Sequence, residues 1–176
     1  LAGCGLQTAA IAFGGRDPTL AQTEIYNGTS WTEVADLNTA RQNLGGAGIQ
    51  TSALAFGGFT PGALAVTEFW NGTSWTEVAD LATARYQLAG AGTSSLALAF
   101  GGNVTPHTAA TEEFTAATIT DTIKNEGQVY YNTTTNLLKL TATVYGTGAW
   151  ASGGALNTAR GDLAAAGTQT AGLAFG

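Results

Sequence analysis

The chain has no methionine, one cysteine (Cys4) and one histidine (His107) in 176 residues. A single thiol excludes an intrachain disulfide and a thiolate metal cluster. A lone imidazole cannot build a histidine metal site, and a triad would need His107 held by a second group; within NVTPHT it reads as a solvated loop residue. Charge is scarce as well. Asp, Glu, Lys and Arg make up 10 % of the chain, with a formal net charge of −6, against about 25 % charged residues in ordinary globular domains. Lacking any run of Lys or Arg, a weakly acidic, hydroxyl-rich surface repels phosphate backbones, so nucleic acid is not an expected partner. No apolar stretch approaches the roughly 20 residues that span a bilayer, and no signal segment opens the chain. Membrane insertion is not expected. Apolar residues nowhere keep a 3.6 spacing over three turns, and Gly interrupts every window, so helices find no support. With no Met at position 1 and both ends in mid-pattern (LAGCG, LAFG), the chain reads as a segment of a longer protein.

What is present is repetition. YNGTSWTEVADL begins at Tyr26, and WNGTSWTEVADL begins at Trp70. Trp31 and Trp75 lie 44 residues apart, as do Arg41 and Arg85 of the TAR triplets, and Glu24, Glu68 and Glu112 of the TE pairs. Phe13, Phe56 and Phe100 of the AFG strings are spaced 43 and 44 residues apart, while Trp150 comes 75 after Trp75. A third cycle therefore holds an insert of about 31 residues. Regular periods of 20–50 residues signal stacked supersecondary units.

Each cycle reads as four short strands. LGGAG and LAGAG are thin; SALAFGG and SLALAFGG alternate large and small residues and stop at Gly57-Gly58 and Gly101-Gly102. TEIY or TEFW follows, and TSWTEV closes the set. Asn27-Gly28 and Asn71-Gly72 read as two-residue type I′ turns joining the third strand to the fourth. Four antiparallel strands per ~44 residues is the grammar of a β-propeller blade. In SLALAF, Leu96, Leu98 and Phe100 take one face and Ala97 and Ala99 the other, so the large face of one blade can rest on the small face of the next. The expected fold is all-β: blade 1 over residues 1–43, blade 2 over 44–87, blade 3 over 88–162 with an insert at 115–147, and two strands of a fourth over 163–176. Closed propellers use about 4–8 blades, so flanking repeats or neighbouring chains are expected to complete the ring.

The double glycine after a hydrophobic strand (Gly57-Gly58), then Trp70, Trp75 and Thr83-Ala84-Arg85, resembles the kelch repeat. Kelch cycles run closer to ~50 residues, with a longer loop where this chain has Asn-Gly. More narrowly, NGTSWTEVADLNTAR and the ALAFGG strings resemble kelch-like repeats of bacteriophage structural genes, particularly of marine phages. EGQVYYNTTTNLLKL (Glu126–Leu140) is similar to a segment that recurs in phage tail and fibre proteins. The resemblance implies a virion location and attachment to cells through repeated β modules.

Periodic residues are usually fixed by packing. Trp31, Trp75 and Trp150 are expected as inter-blade core anchors rather than sugar-stacking platforms. Arg41, Arg85 and Arg160 are expected to pair with acids of their own or a neighbouring blade (Glu33, Asp36, Glu77, Asp80, or Glu24, Glu68 and Glu112). A sialidase-like carboxylate clamp is disfavoured, because no Asp-box pattern appears. Trp70, just before its turn, could be core or a partly exposed contact. Cys4 takes a slot that reads Ala47, Ala91 and Ala166 in other cycles, which suggests a small buried residue. Glu112 and Glu113 face opposite ways on a strand and are no acid–base pair.

The insert is the one aperiodic element. QVYY and LLKL flank NTTTN and read as a hairpin on the third-to-fourth strand connection. Insertions in repeat scaffolds carry function, which makes Tyr130, Tyr131, Asn132, Asn136 and Lys139 contact candidates; packing against a neighbouring subunit, or merely filling space, is the alternative. The expected function is a non-enzymatic structural and adhesive module of a phage tail or fibre, without cofactor or metal. Its partners would be other virion proteins, copies of itself, or a cell-surface glycan or protein. The alternatives are a kelch-type protein-interaction scaffold of bacterial or other origin, extracellular or at the cell surface, and a glycan-active propeller enzyme, against which the lack of paired carboxylates counts.

Overall fold

The computed structural model describes residues 1–104, 106–117, 129–132, 137–140, 148–159, 161–169 and 171–175, with the backbone alone at 129–132, 137–140 and 173–175. All named elements are strands. The first sheet runs β1 (Ala2–Leu6), β2 (Ala9–Gly15), β3 (Leu20–Tyr26), β4 (Trp31–Val34), in that order. The second repeats it with β5 (Gly45–Ile49), β6 (Ser52–Phe56), β7 (Thr67–Trp70) and β8 (Trp75–Glu77). The third begins with β9 (Ala89–Gly92), β10 (Leu96–Phe100) and β11 (Thr111–Thr115). The chain then leaves to form a separate hairpin of β12 (Val129–Asn132) and β13 (Leu137–Leu140), and returns as β14 (Ala149–Ser152) beside β11. Finally β15 (Ala164–Thr168) and β16 (Ala171–Phe175) form a two-stranded sheet.

Every pairing is antiparallel, and the register recurs. Ala2 faces Phe13, Gly45 faces Phe56, Ala89 faces Phe100 and Ala164 faces Phe175. The leading strands lie side by side, β1 against β5, β5 against β9 and β9 against β15. All four border one hollow of about 230 Å3. This is a propeller-like fan of blades with small residues at the hub.

The core lies between sheets, because a single sheet cannot cover both of its faces. Ile11 and Phe13 of the first sheet cluster with Ala53 and Ala55 of the second. Leu54 and Phe56 of the second cluster with Ala97 and Ala99 of the third. Large side chains thus rest on alanines at both junctions, each large residue worth about 1.5–3 kcal/mol when fully buried. Glycine sets the closest approach: a Cβ on Gly46 would sit 2.8 Å from Cζ of Phe13, so the ring crosses the hub strand only where no side chain exists. At Gly57 the backbone takes φ 63°, and a Cβ would lie 2.7 Å from the Arg85 carbonyl oxygen. That close, left-handed turn is where the double glycine brings the linker against the strand end.

The turns differ from expectation. Asn27 and Asn71 are not among the positive-φ residues, although Gly28 and Gly72 are, both at 93°. A type I′ turn needs positive φ at both central residues, so these are four-residue connections, closed by the pairs Tyr26–Trp31 and Trp70–Trp75. The asparagine side chain does the folding instead. Oδ1 of Asn27 accepts the amides of Thr29 (2.9 Å) and Ser30 (3.0 Å), and Asn71 does the same for Thr73 and Ser74. An amide oxygen that reaches two residues ahead stabilises the turn without strain at its own backbone. The fourth strands accordingly begin at Trp31 and Trp75, two residues later than the TSWTEV reading.

Candidate functional site

The TAR linkers carry the strongest polar geometry. Arg41, entirely buried, reaches from the first linker into the second sheet: Nη2 lies 3.0 Å from Oε1 of Glu68, and Nη1 and Nη2 donate to the carbonyls of Val66 (2.9 Å) and Ala55 (3.3 Å). Glu68 turns its other oxygen to the linker, accepting the backbone amide of Asn38 (2.7 Å) and its side-chain Nδ2 (2.8 Å). One cycle later Arg85 repeats this with Glu112 (3.0 Å) and the carbonyls of Ala110 and Ala99, and Glu112 accepts the Ala82 amide. Burial lowers the pKa of both guanidinium groups, opposed chiefly by Glu68 and Glu112 respectively. These pairs staple each linker to the blade that follows it. Paired inside the protein with Glu68 and Glu112, and each keeping a buried Nε without a hydrogen-bond partner, Arg41 and Arg85 offer no clamp to an external carboxylate. Arg160 lies outside the described residues.

The tryptophans hold the blades together in the opposite direction. Trp75 is buried, sits edge-on to Phe13 at 5.0 Å, and donates Nε1–H to Oγ1 of Thr23 at 3.0 Å. Trp150, half-buried, sits against Phe56 at 5.2 Å and donates to Oγ1 of Thr67 at 3.3 Å. Each reaches the blade before its own. Trp31 corrects the expectation of three equivalent core anchors: it is 48 % exposed. Its ring stands 5.2 Å from that of Tyr26 in its own blade, and no described blade precedes it.

For Trp70 the structure takes the core alternative over the exposed contact. It is 1 % exposed, stands 5.4 Å from Trp75, and donates its indole N–H to the Gln50 carbonyl at 3.0 Å. It fills the junction between the first and second blades and presents no surface to a ligand.

The insert departs from the connection that is a four-residue turn in the other blades; the Phe114–Trp150 pair occupies the place of Tyr26–Trp31. In its hairpin, Tyr130 is paired with Lys139, Tyr131 with Leu138 and Asn132 with Leu137. Asn136 lies outside the described residues. The other end of the blades carries the loops after the double glycines. There Phe59 and Tyr86 meet edge-on at 5.0 Å, and His107, exposed, bridges to Asn103. Among the described residues no group of three His, Cys, Asp or Glu could hold a metal.

No known family model matches this chain, and no curated protein does.

Two features escaped the sequence reading. The partner of each arginine was left open among several acids, yet Arg41 to Glu68 and Arg85 to Glu112 are both 27 residues, a constant that singles out the following blade. The threonine of each TE pair was read only as a strand former, whereas Thr23 and Thr67 receive the indole N–H groups. Cys4 does take the strand position of Ala47, opposite Ile11 as Ala47 is opposite Leu54. Burial pushes its thiol up to about 12, so the reactive thiolate is scarce at neutral pH.

Proposed function

We propose that this chain is a non-enzymatic structural and adhesive module of a phage virion, part of a tail or tail fibre, that presents an inserted hairpin and loops to a host-surface glycan or protein. The observation that carries the reading is the asymmetry of the repeat. Three blades share one stapled scaffold, and one of them replaces a four-residue turn with a segment holding its own hairpin. Such an insertion is not needed for packing two of the three blades, and loops on a rigid scaffold are where repeat proteins bind. The resemblance of NGTSWTEVADL and QVYYNTTTNLLKL to kelch-like phage repeats and tail-fibre segments supports the virion context. Buried Arg–Glu ion pairs support a scaffold role for the periodic charges.

The test is a variant in which Asn-Gly-Thr-Ser replaces residues 115–149, joining Phe114 to Trp150 as Tyr26 is joined to Trp31. Both proteins are applied to bacterial cells and to an array of bacterial surface polysaccharides. The parent is expected to bind, and the variant to lose binding while keeping its β-sheet circular dichroism. Equal binding by both, binding by neither, or oligosaccharide turnover by the parent would overturn the proposal.

A further inference from the structure

The four-residue turns between the third and fourth strands do more than reverse the chain. In each, three groups converge on one exposed carboxamide. Oδ1 of Asn27 accepts the amides of Thr29 (2.9 Å) and Ser30 (3.0 Å), and Nδ2 donates to Oγ of Ser30 at 3.4 Å. Asn71 repeats the set with the amides of Thr73 and Ser74, each at 2.9 Å, and with Oγ of Ser74 at 3.5 Å. To reach amides two and three residues ahead, the side chain folds over the peptide that follows it. That brings Cγ round toward the nitrogen of Gly28 or Gly72.

Among the described residues neither glycine amide donates a hydrogen bond. Both glycines sit at φ 93°, where a side chain would be strained, so no Cβ stands beside the nitrogen. The turn residues 27–30 and 71–74 are all exposed, which gives water access.

We propose that Asn27 and Asn71 are sites of self-modification, each converted by its own turn into aspartate or isoaspartate. The glycine nitrogen gives its proton to solvent hydroxide and forms a bond to Cγ. The carbonyl electron pair moves onto Oδ1, where the two donated amides stabilise the developing charge as an oxyanion hole does. When the pair returns, the Cγ–Nδ2 bond breaks. Nδ2 leaves as ammonia, taking its third hydrogen from the Ser30 or Ser74 hydroxyl, which water reprotonates. The product is a five-membered cyclic imide, and water opens it at either carbonyl. Overall, one water enters and one ammonia leaves. Each event places a carboxylate in a turn that has no charge, at the connection from which the inserted hairpin departs in the third blade. The inference does not rest on the adhesive reading.

Peptide mapping by mass spectrometry during incubation at neutral pH tests this, with isoaspartate read by enzymatic methyl labelling. The reference is the free peptide of residues 24–33, which has the same sequence without the folded turn. Both asparagines of the folded protein are expected to convert faster than the asparagine of the peptide. Ser30→Ala keeps the backbone amide donors and removes only the hydroxyl. It should slow Asn27 about tenfold, less than the full effect of a positioned acid because water can stand in. Asn71 of the same chain should keep its rate and serves as the internal standard; Ser74→Ala should do the reverse. Conversion slower in the folded protein than in the peptide would mean that the turn shields the carboxamide, and overturns the proposal. So does a ratio of Asn27 to Asn71 rates that neither serine variant changes.

Discussion

Three glutamates stand at the same place in the repeat, yet the structure gives them different weights. Glu68→Ala removes the carboxylate from a fully buried guanidinium and also takes the acceptor from the Asn38 amide. An uncompensated buried charge left by removing one partner costs about 3–5 kcal/mol; Asp80 and Glu77, which act on Arg41 more weakly than Glu68, place the expected loss toward the lower end. Glu24→Ala removes an exposed carboxylate with no ionic partner among the described residues, so its cost should stay within about 0.5 kcal/mol. The double change Arg41→Met with Glu68→Leu should recover much of the loss, since apolar replacement of a buried pair is often close to neutral. About 1–2 kcal/mol should remain from the linker amides that lose their acceptor. Guanidinium denaturation followed by tryptophan emission, at a concentration where the chain is monomeric, reads all four proteins. If Glu68→Ala loses less than about 1 kcal/mol, or Glu24→Ala loses as much as Glu68→Ala, the stapling role assigned to the periodic arginines is wrong.

Trp75→Ala should destabilise the protein by about 3–5 kcal/mol, the usual cost of emptying a buried aromatic site, while Trp31→Ala, which removes a half-exposed ring beside Tyr26, should cost about 0.5–1.5 kcal/mol; thermal melts of the two compared with the parent decide. Asn71→Ala removes the acceptor of the Thr73 and Ser74 amides in an exposed turn, and should cost about 1 kcal/mol without moving strand register, as read by amide exchange of β7 and β8. Cys4 gives a pH signature. Its folded pKa of about 12 lies above the reference value of 9.0, so the unfolded chain releases the proton first. Stability from this group is intact below pH 9 and declines as pH rises toward 12. At pH 10 the parent should lose up to about 1 kcal/mol relative to pH 8 that Cys4→Ala does not lose, and identical pH profiles for the two would refute the assignment.

Period, strand alternation and the double glycines were legible because they are local and repeated: large–small alternation in SALAF dictates which face meets which, and the same faces meet in the structure. Packing between blades also follows from composition, since sheets with two apolar faces must stack. Context was illegible wherever identical words occupy different surroundings. Trp31 and Trp75 sit in the same NGTSWTEV string, yet among the described residues one is exposed and the other buried, because Phe13 and Thr23 of the blade beside it cover Trp75. Trp70 and Tyr26 share a position before the turn, and only the junction with the first blade buries the indole. The Asn-Gly turns were misassigned because the sequence states the residues but not whether the asparagine backbone or its side chain closes the loop. The sequence by itself determined the repeating unit and its apolar faces, through short-range pattern. Tertiary structure alone decided which partners each repeated side chain meets, because burial of a sheet face is a property of the sheet beside it.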